Sequence, residues 1–252
     1  MKPPMVDSAP ERSLLVLVAG DALPDVAAAH GEFGAWIERA ASAVWPGLFE
    51  QHDLRSDERL PDGRRAAGVI ITGSAASVTE RAPWMLRAEA YIRDLMAAEV
   101  PLFGICFGHQ LMAQALGGDV RKNPRGREIG TVRLIRTDDD PLFEGLPDML
   151  SVNATHVDTV AAMPPNARAV ARTELEDNAV IDFGPRARGV QFHPEIDGAV
   201  MRGYIQVRRP LIVEEGLDAD ALHAGAVDTP HGVGLLENFI RAFVLSRATR
   251  AA

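Results

Sequence analysis

The chain contains a single cysteine, Cys106, and the residues around it are suited to nucleophilic chemistry. A short apolar run from Val100 to Ile105 predicts a buried strand, and the pattern from Gln110 to Leu116 predicts a helix. Cys106 therefore lies on a sharp strand-to-helix turn, where tight backbone packing projects the side chain into a cleft. Because a helix N-terminus lies directly behind the sulfur, the turn favours the thiolate, which is the reactive form.

A nucleophilic cysteine needs a base to take its proton and a third group to orient that base. His193 and Glu195 are two residues apart after an apolar run, and side chains with that spacing in an extended segment project to the same side. Pro194 between them cannot donate to a strand ladder, so the pair is expected at the end of a strand. The sequence therefore predicts a catalytic set of Cys106, His193 and Glu195.

Acyl transfer through a thiol also needs hydrogen-bond donors for a developing oxyanion. The backbone amide of Phe107, at the start of the helix behind the cysteine, is one predicted donor. Gly73 or its neighbour is the other, because a glycine-rich turn after a strand lets the backbone approach closely. Losing one such donor typically costs about 3 kcal/mol in the barrier.

The first half of the chain alternates apolar strand patterns with helical patterns. Strands are predicted at Ser13 to Ala19, Leu48 to Leu54, Gly68 to Thr72 and before Cys106, with helices at about 25–44 and 83–98. This alternation predicts an α/β fold with an open, mostly parallel, flavodoxin-like sheet flanked by helices. Since ligands bind at the carboxyl ends of strands in such sheets, Cys106 and the Gly73 loop are expected to face one cleft.

From about Gly118 to Phe192 the pattern changes to shorter strands separated by turns, which indicates a small antiparallel β extension. Helices are predicted at about 198–222 and at 235–247. Because no linker-like segment intervenes, we expect one domain over residues 13–252, after a disordered leader at residues 1–12.

Composition excludes several classes of function. The net charge is −9 and no basic run stands out, which argues against nucleic-acid binding. No apolar run approaches the roughly 18 residues that a bilayer span needs, and one cysteine fits a reducing compartment. We therefore expect a cytoplasmic protein with no membrane contact. We also expect no metal and no cofactor, since the sequence shows neither histidine spacing for a metal site nor a phosphate-binding glycine loop.

The motifs together resemble the class I (triad) glutamine amidotransferases, and within them stand-alone proteins similar to the glutaminase domain of GMP synthase. The matching pieces are Ile71-Thr-Gly-Ser74, Gly104-Ile-Cys-Phe-Gly-His-Gln110 and Phe192-His-Pro-Glu195. Weaker matches, including Thr155-His-Val-Asp158 and Gly234-Leu-Leu-Glu-Asn-Phe239, extend the resemblance over roughly residues 13–245.

The resemblance implies that Cys106 attacks the side-chain amide carbon of glutamine to form a γ-glutamyl thioester. It also implies that Gln110, His156 and Asp158 contact the substrate, although the family's Ser-His-Gly-Asp motif here has Thr155 and Val157 in place of serine and glycine. A separate synthase that accepts the ammonia is the protein partner that the resemblance implies.

Several interpretations stay open at this point. In the first hypothesis the substrate is glutamine, and the ammonia is passed to a partner or released. In the second the substrate is a γ-glutamyl peptide. The third is a catalytically silent binding subunit on the same fold. Taken alone, Cys106 is equally consistent with a small packing residue. His156 and Asp158 are as consistent with a structural role as with substrate binding, and His109 is expected on the helix surface or in packing.

Overall fold

A nine-stranded sheet forms the centre of the molecule in the computed structural model, which describes residues 12–246. The strands in chain order are β1 (Leu14–Val18), β2 (Phe49–Asp53), β3 (Gly68–Ile71), β4 (Leu102–Ile105), β5 (Asp119–Lys122), β6 (Glu128–Arg136), β7 (Met149–His156), β8 (Asp158–Ala162), β9 (Arg168–Arg172), β10 (Val180–Gly184) and β11 (Ala187–Val190). The order in the sheet is β2-β1-β3-β4-β11-β10-β9-β6-β7, and β5 pairs with β8 in a separate two-stranded sheet.

The part of the sheet from β2 to β11 is parallel, and the remaining four strands are antiparallel. All residues of β3, β4 and β11 are buried, as expected for parallel strands covered on both faces. The predicted open sheet with an antiparallel extension is therefore confirmed. The extension also contains β5 and β8, which the sequence pattern did not predict as strands.

Within residues 12–246, seven α-helices flank the sheet: α1 (Pro24–His30), α2 (Phe33–Ala41), α3 (Pro83–Ala97), α4 (Phe107–Ala115), α5 (Gly198–Glu214), α6 (Ala219–Gly225) and α7 (Pro230–Phe239). Alternate residues of β1 enter different apolar clusters. Leu14 and Val16 pack in a cluster shared with α2 and α7, whereas Leu15 and Leu17 pack in one shared with α3 and α4. The parallel strands are thus covered on both faces.

Two of the predicted helices are each divided in two. The helix expected over residues 25–44 is broken at Gly31, whose φ of 86° lies in the left-handed region that glycine adopts readily. The indole of Trp36 donates to the carbonyl of His30 at 2.7 Å and stabilises the break. The helix expected over residues 198–222 is divided near Gly216, which also has a positive φ of 79°. The prediction of a continuous helix was wrong in both places.

Some predicted features lie at or beyond the ends of the described residues. The disordered leader predicted for residues 1–12 lies outside them, apart from Arg12. The helix predicted to begin at Leu235 begins at Pro230, and a π-helical segment, Ile240–Leu245, continues it; Arg247 lies outside the described residues. Among residues 12–246, no helix combines the length and the apolar character needed to cross a membrane.

Helix α4 approaches β3 so closely that Gly108 tolerates no side chain. A Cβ at that position would lie 2.5 Å from the carbonyl oxygen of Ile71, which is backbone and cannot rotate away. We therefore expect Gly108→Ala to lower the free energy of unfolding by about 2 kcal/mol, the usual cost of overpacking a core. Gly225→Ala is the matched control, because a Cβ at Gly225, the last residue of α6, meets nothing within 4 Å.

Urea unfolding followed by circular dichroism measures both variants. Equal midpoints for Gly108→Ala and Gly225→Ala would contradict the close packing of α4 on β3.

Candidate functional site

Cys106 occupies the turn between β4 and α4 with a strained backbone. Its φ is 50° and its ψ is −100°, a conformation that L-residues other than glycine rarely adopt. The turn is tight because a Cβ on Gly104 would lie 2.7 Å from the backbone of Gly108. The cysteine is the N-cap residue of α4, so its sulfur lies at the positive end of a helix dipole. The side chain is buried, with 6% of its residue surface exposed.

The pairing of β11 with β4 brings His193 to the cysteine. The two strands are parallel and in register, with Val190 opposite Ile105, and the Cys106 amide donates to the Val190 carbonyl at 2.8 Å. His193 follows three residues after Val190, and its own amide donates to the carbonyl of Asn153 on β7 at 2.8 Å. The chain after β11 is therefore hydrogen-bonded to β7 and lies beside the turn that holds Cys106.

Glu195 orients the imidazole of His193. The Nδ1 atom of His193 lies 2.7 Å from Oε1 of Glu195, and both side chains are almost fully buried. The ring of Phe33, the first residue of α2, stacks on the imidazole with centroids 6.1 Å apart and planes at 19°. A carboxylate on Nδ1 leaves Nε2 as the nitrogen available to exchange a proton with the sulfur.

The charges of the site favour a thiolate–imidazolium pair. Burial opposes ionisation of Cys106, but the charge of His193, a hydrogen bond with it and the charge of His156 together lower the pKa of the thiol. Burial likewise opposes protonation of His193, and the Glu195 carboxylate and the Cys106 thiolate outweigh burial and raise its pKa well above the usual range. Such a pair can attack an acyl carbon and then donate a proton to a leaving amine.

Of the two predicted oxyanion donors, one is the first residue of α4 and the other lies in the loop after β3. Phe107 is the first residue of α4, so its amide has no acceptor within the helix. Gly73 lies against the imidazole, because a Cβ there would be 2.8 Å from Cε1 of His193. The amide of Gly108 donates to the carbonyl of Thr72 at 3.2 Å, which holds the Gly73 loop to the start of α4.

The predicted substrate-binding residues are linked to one another by internal hydrogen bonds. Nε2 of Gln110 donates to the Asp158 carbonyl at 3.1 Å and to Oε1 of Gln191 at 3.0 Å. His156 lies between the same Asp158 carbonyl and Oε2 of Glu128, at 3.0 Å from each. The carboxylate of Asp158 accepts a hydrogen bond from the Ser77 hydroxyl. The structure thus brings Gln110 and His156 to one backbone carbonyl near the cysteine, and the Asp158 carboxylate is directed to Ser77.

His156 contributes charge to the site from the side of the antiparallel strands. Burial disfavours its protonation, but the hydrogen bond and charge of Glu128 raise its pKa. The hydroxyl of Thr173 donates to Glu128 at 2.7 Å and helps keep that carboxylate ionised. His109, in contrast, is fully buried in α4 with its ring edge-on to Phe183, and burial lowers its pKa to about 3, so it is a neutral packing residue.

Gln191 contacts the sulfur, although no sequence motif predicted it. Its Nε2 atom lies 3.6 Å from Sγ of Cys106, while its Oε1 accepts from Gln110. The spacing contained a signal, because Gln191 is two residues before His193 and side chains two apart in an extended segment face the same side. Gln110 therefore fixes the orientation of an amide that donates to the cysteine.

A narrow pocket opens beside His193. Its volume is about 20 Å³, and its lining includes Ser74 and Thr155 from the sheet edge and Tyr204 and Arg208 from α5. Tyr204 and Arg208 were not predicted from sequence, since α5 follows the recognised motifs and has no motif of its own. Within residues 12–246 no group of three or more His, Cys, Asp or Glu side chains is arranged to hold a metal ion.

Comparison with known proteins extends over most of the chain. Residues 49–205 match the family described as glutamine amidotransferase class-I. A GMP synthase [glutamine-hydrolyzing] of Parafrankia sp. is 41% identical over 154 residues, which cover 61% of this chain and 28% of the synthase. Further GMP synthases are covered to a similar extent, so the chain spans about a quarter to three tenths of the length of these relatives.

A relative of similar length and a solved structure cover more of the chain. A glutamine amidotransferase-like protein of Schizosaccharomyces pombe is 31% identical over 210 residues, covering 78% of this chain and 84% of that protein. The crystal structure of a glutamine amidotransferase from Thermotoga maritima superposes with a TM-score of 0.74 at 25% identity, covering 92% of this chain and 99% of that one.

The lowered pKa of Cys106 predicts how its alkylation depends on pH. The charge of His193 favours the thiolate, so iodoacetamide should modify Cys106 rapidly at pH 7. In His193→Gln burial remains and the positive charge is lost, so the pKa rises. The rate at pH 7 should then fall about tenfold or more, since a thiol of ordinary pKa is only a few per cent ionised at that pH. The rate should recover above pH 9.

His231→Gln is the matched control, because His231 is an exposed histidine on α7. An unchanged pH profile in His193→Gln, measured by mass spectrometry of the labelled protein, would contradict the thiolate–imidazolium pair.

Proposed function

The chain belongs to the class-I glutamine amidotransferase family, and from that premise we propose that it hydrolyses the side-chain amide of a γ-glutamyl compound through a cysteine thioester. The observation that carries this proposal is the coupling of Cys106 to His193, with Glu195 2.7 Å behind the imidazole. Within the proposal, Cys106 is the nucleophile, His193 the acid and base, and Glu195 the residue that orients the imidazole.

The proposed reaction has two halves. The Cys106 thiolate attacks the carbonyl carbon of the side-chain amide, and the carbonyl oxygen takes up the displaced electron pair. His193 then donates its Nε2 proton to the leaving nitrogen as the carbon–nitrogen bond breaks. In the second half His193 removes a proton from water, and the resulting hydroxide attacks the thioester. Glutamate leaves and the thiolate–imidazolium pair is restored. A carboxylate on Nδ1 supports both halves because it stabilises the imidazolium.

We infer that the amides of Gly73 and Phe107 bind the oxyanion formed in each half. Two features support this role: the Phe107 amide opens a helix, and the Gly73 backbone lies against the imidazole at a position where a side chain would clash. Each donor would contribute about 3 kcal/mol to the barrier. An alanine at position 73 would displace the imidazole as well as the loop.

We infer that Gln110, His156 and Asp158 form the floor under the amino-acid end of the substrate. The support is their position beside Cys106 and their shared hydrogen bonds at the Asp158 carbonyl. Because the polar atoms of Gln110 and His156 are already paired with protein groups, their proposed contribution is to shape the floor and to orient Gln191. Because these side chains are buried, replacing one hydrogen-bond partner would leave the other unpaired and lower the free energy of unfolding.

The fate of the ammonia defines the two leading versions of the proposal. The matched GMP synthases are named as glutamine-hydrolyzing, and this chain covers about a quarter of them, so an amidotransferase version requires an ammonia acceptor on another protein or another segment. The second version is a γ-glutamyl peptide hydrolase with the same catalytic groups, in which the leaving group is an amino acid. A silent binding subunit is disfavoured, because strain at Cys106 and two buried charges would then serve no reaction.

We also infer that residues 13–252 act as one domain, since one sheet includes strands from both halves of the chain. A cytoplasmic location is proposed on separate grounds: the reaction needs the Cys106 thiol in reduced form, which the cytosol maintains.

The proposal is tested by release of ammonia or amine from glutamine and a panel of γ-glutamyl compounds. Cys106→Ala should abolish turnover, and Glu195→Gln should lower kcat about a hundredfold or more, because proton transfer loses its oriented acid and base. Glu237→Gln is the control, since Glu237 lies on α7 and forms an ion pair with Arg241 in the π-helical segment that follows it.

A glutamine-analogue electrophile should label Cys106 alone. The proposal fails if the protein hydrolyses no γ-glutamyl compound in the panel and the electrophile does not label Cys106.

A further inference from the structure

Arg208 is a cation without a carboxylate partner in the pocket beside His193. Its guanidinium donates to the hydroxyl of Thr155 and lies over the ring of Tyr204, with 5.2 Å between Cζ and the ring centroid. Among residues 12–246 no ion pair includes Arg208, although α5 carries a neighbouring arginine, Arg209, that pairs with Asp220 at 2.8 Å. Arg208 is half-buried, and a guanidinium partly withdrawn from water normally has a carboxylate or phosphate partner.

Two acidic residues near Arg208 are already paired with other arginines: Asp21, which lines the pocket, and Glu215, whose charge acts on Arg208. Asp21 is held by Arg55 through two bonds of 2.6 and 2.8 Å. Glu215 is held by Arg127 through two bonds of 2.7 and 3.0 Å. Burial, together with the charge of Arg127, lowers the pKa of Arg208, which indicates a cation whose charge the protein compensates poorly.

We propose that Arg208 is a specificity-determining residue that binds a carboxylate of the substrate in the pocket beside His193. The pocket, at about 20 Å³, has room for about one water, so an incoming carboxylate would replace the Thr155 hydroxyl as the partner of the guanidinium. The planar guanidinium suits this exchange because it can donate two parallel hydrogen bonds to a carboxylate. The inference rests on the proposed function for the class of substrate.

A γ-glutamyl compound offers two sources of this carboxylate. One is the α-carboxylate of the glutamyl group, which glutamine and every γ-glutamyl peptide carry. The other is the carboxylate of a leaving amino acid, which only the peptides carry. The shared chemistry is a carboxylate within reach of Arg208 when the carbonyl carbon of the side-chain amide meets Cys106, and a panel of substrates separates the two sources.

The first experiment needs no turnover and compares two alkylating agents on Cys106. Iodoacetate carries a carboxylate and iodoacetamide does not, so the ratio of their rates measures binding of a carboxylate near the sulfur and cancels changes in the fraction of thiolate. Arg208→Met should lower the ratio of iodoacetate to iodoacetamide rates about tenfold, the size of a charge-assisted hydrogen bond. Arg208→Lys should lower the ratio less, because it keeps the charge.

Arg209→Met is the matched control, because Arg209 is the next residue on α5 and its partner Asp220 is exposed. Circular dichroism and thermal unfolding establish that each variant is folded. A ratio in Arg208→Met equal to that in wild type and Arg209→Met would overturn the inference, and that result would stand whether or not the protein hydrolyses glutamine.

The second experiment measures KM and kcat for four substrates: glutamine, γ-glutamylglycine, γ-glutamylmethylamide and 4-aminobutanamide. If Arg208 binds the α-carboxylate, Arg208→Met should raise KM at least about tenfold for the first three and leave 4-aminobutanamide, which lacks that group, unaffected. If it binds the leaving amino acid, only γ-glutamylglycine should be affected.

Either pattern supports the inference, and unchanged KM values for all four substrates would contradict it. Absence of turnover in wild type would count against the proposed function, and the alkylation ratio would then decide on Arg208 independently.

Discussion

The parallel pairing of β11 with β4 is the constraint on which the site depends. These strands are far apart in the chain, and the antiparallel strands of the extension lie between them in sequence. Their register sets Val190 opposite Ile105, so the residues that leave the two strands emerge at the same edge of the sheet. A slip of one residue would turn His193 and Glu195 away from Cys106, because side chains alternate between the two faces of a strand. The antiparallel extension is therefore the connection through which the chain leaves β4 and returns to pair with it as β11.

At this edge of the sheet, close packing of the backbone excludes water, whereas the buried charges of the site are more stable in water. Glycines at 104 and 108 let backbones meet without side chains, and the glycine at 73 lets the backbone lie against the imidazole of His193. This packing removes water from the sulfur and the imidazole. Removing water raises the cost of each charge, and the site offsets this cost by pairing His193 with Glu195 and His156 with Glu128. Each imidazole that favours the thiolate is thus itself held by a buried carboxylate. The strained backbone at Cys106 is stable only because the surrounding packing fixes it.

The sequence was sufficient for the parts of the molecule that follow local rules. Continuous apolar runs identified the parallel strands, and the Gly-x-Cys-x-Gly spacing identified the turn at Cys106. Gln191 follows the same alternation of side chains as His193. A glutamine at that position does not by itself indicate a catalytic role, so the sequence did not single it out. The break at Gly31 was not predictable from helical periodicity, because Phe33 and Trp36 keep that periodicity while the chain changes direction. Arg208 was missed for a different reason, since its isolation from carboxylates is a property of the folded packing and not of the sequence around it.

The reacting groups and the groups beside the narrow pocket belong to different layers of the molecule. Cys106 and His193 are held by strands, whereas Phe33 and Tyr204 belong to a third apolar cluster formed largely by α1, α2 and α5. That cluster is distinct from the two that cover the parallel strands, and α2 connects it to one of them through Ile37 and Ala41. The break at Gly31 serves this arrangement, since it lets α2 begin with Phe33 stacked on the imidazole. The strands thus position Cys106 and His193, and the helices that pack over them contribute Phe33 to the imidazole and carry Arg208, for which we propose a role in substrate selection.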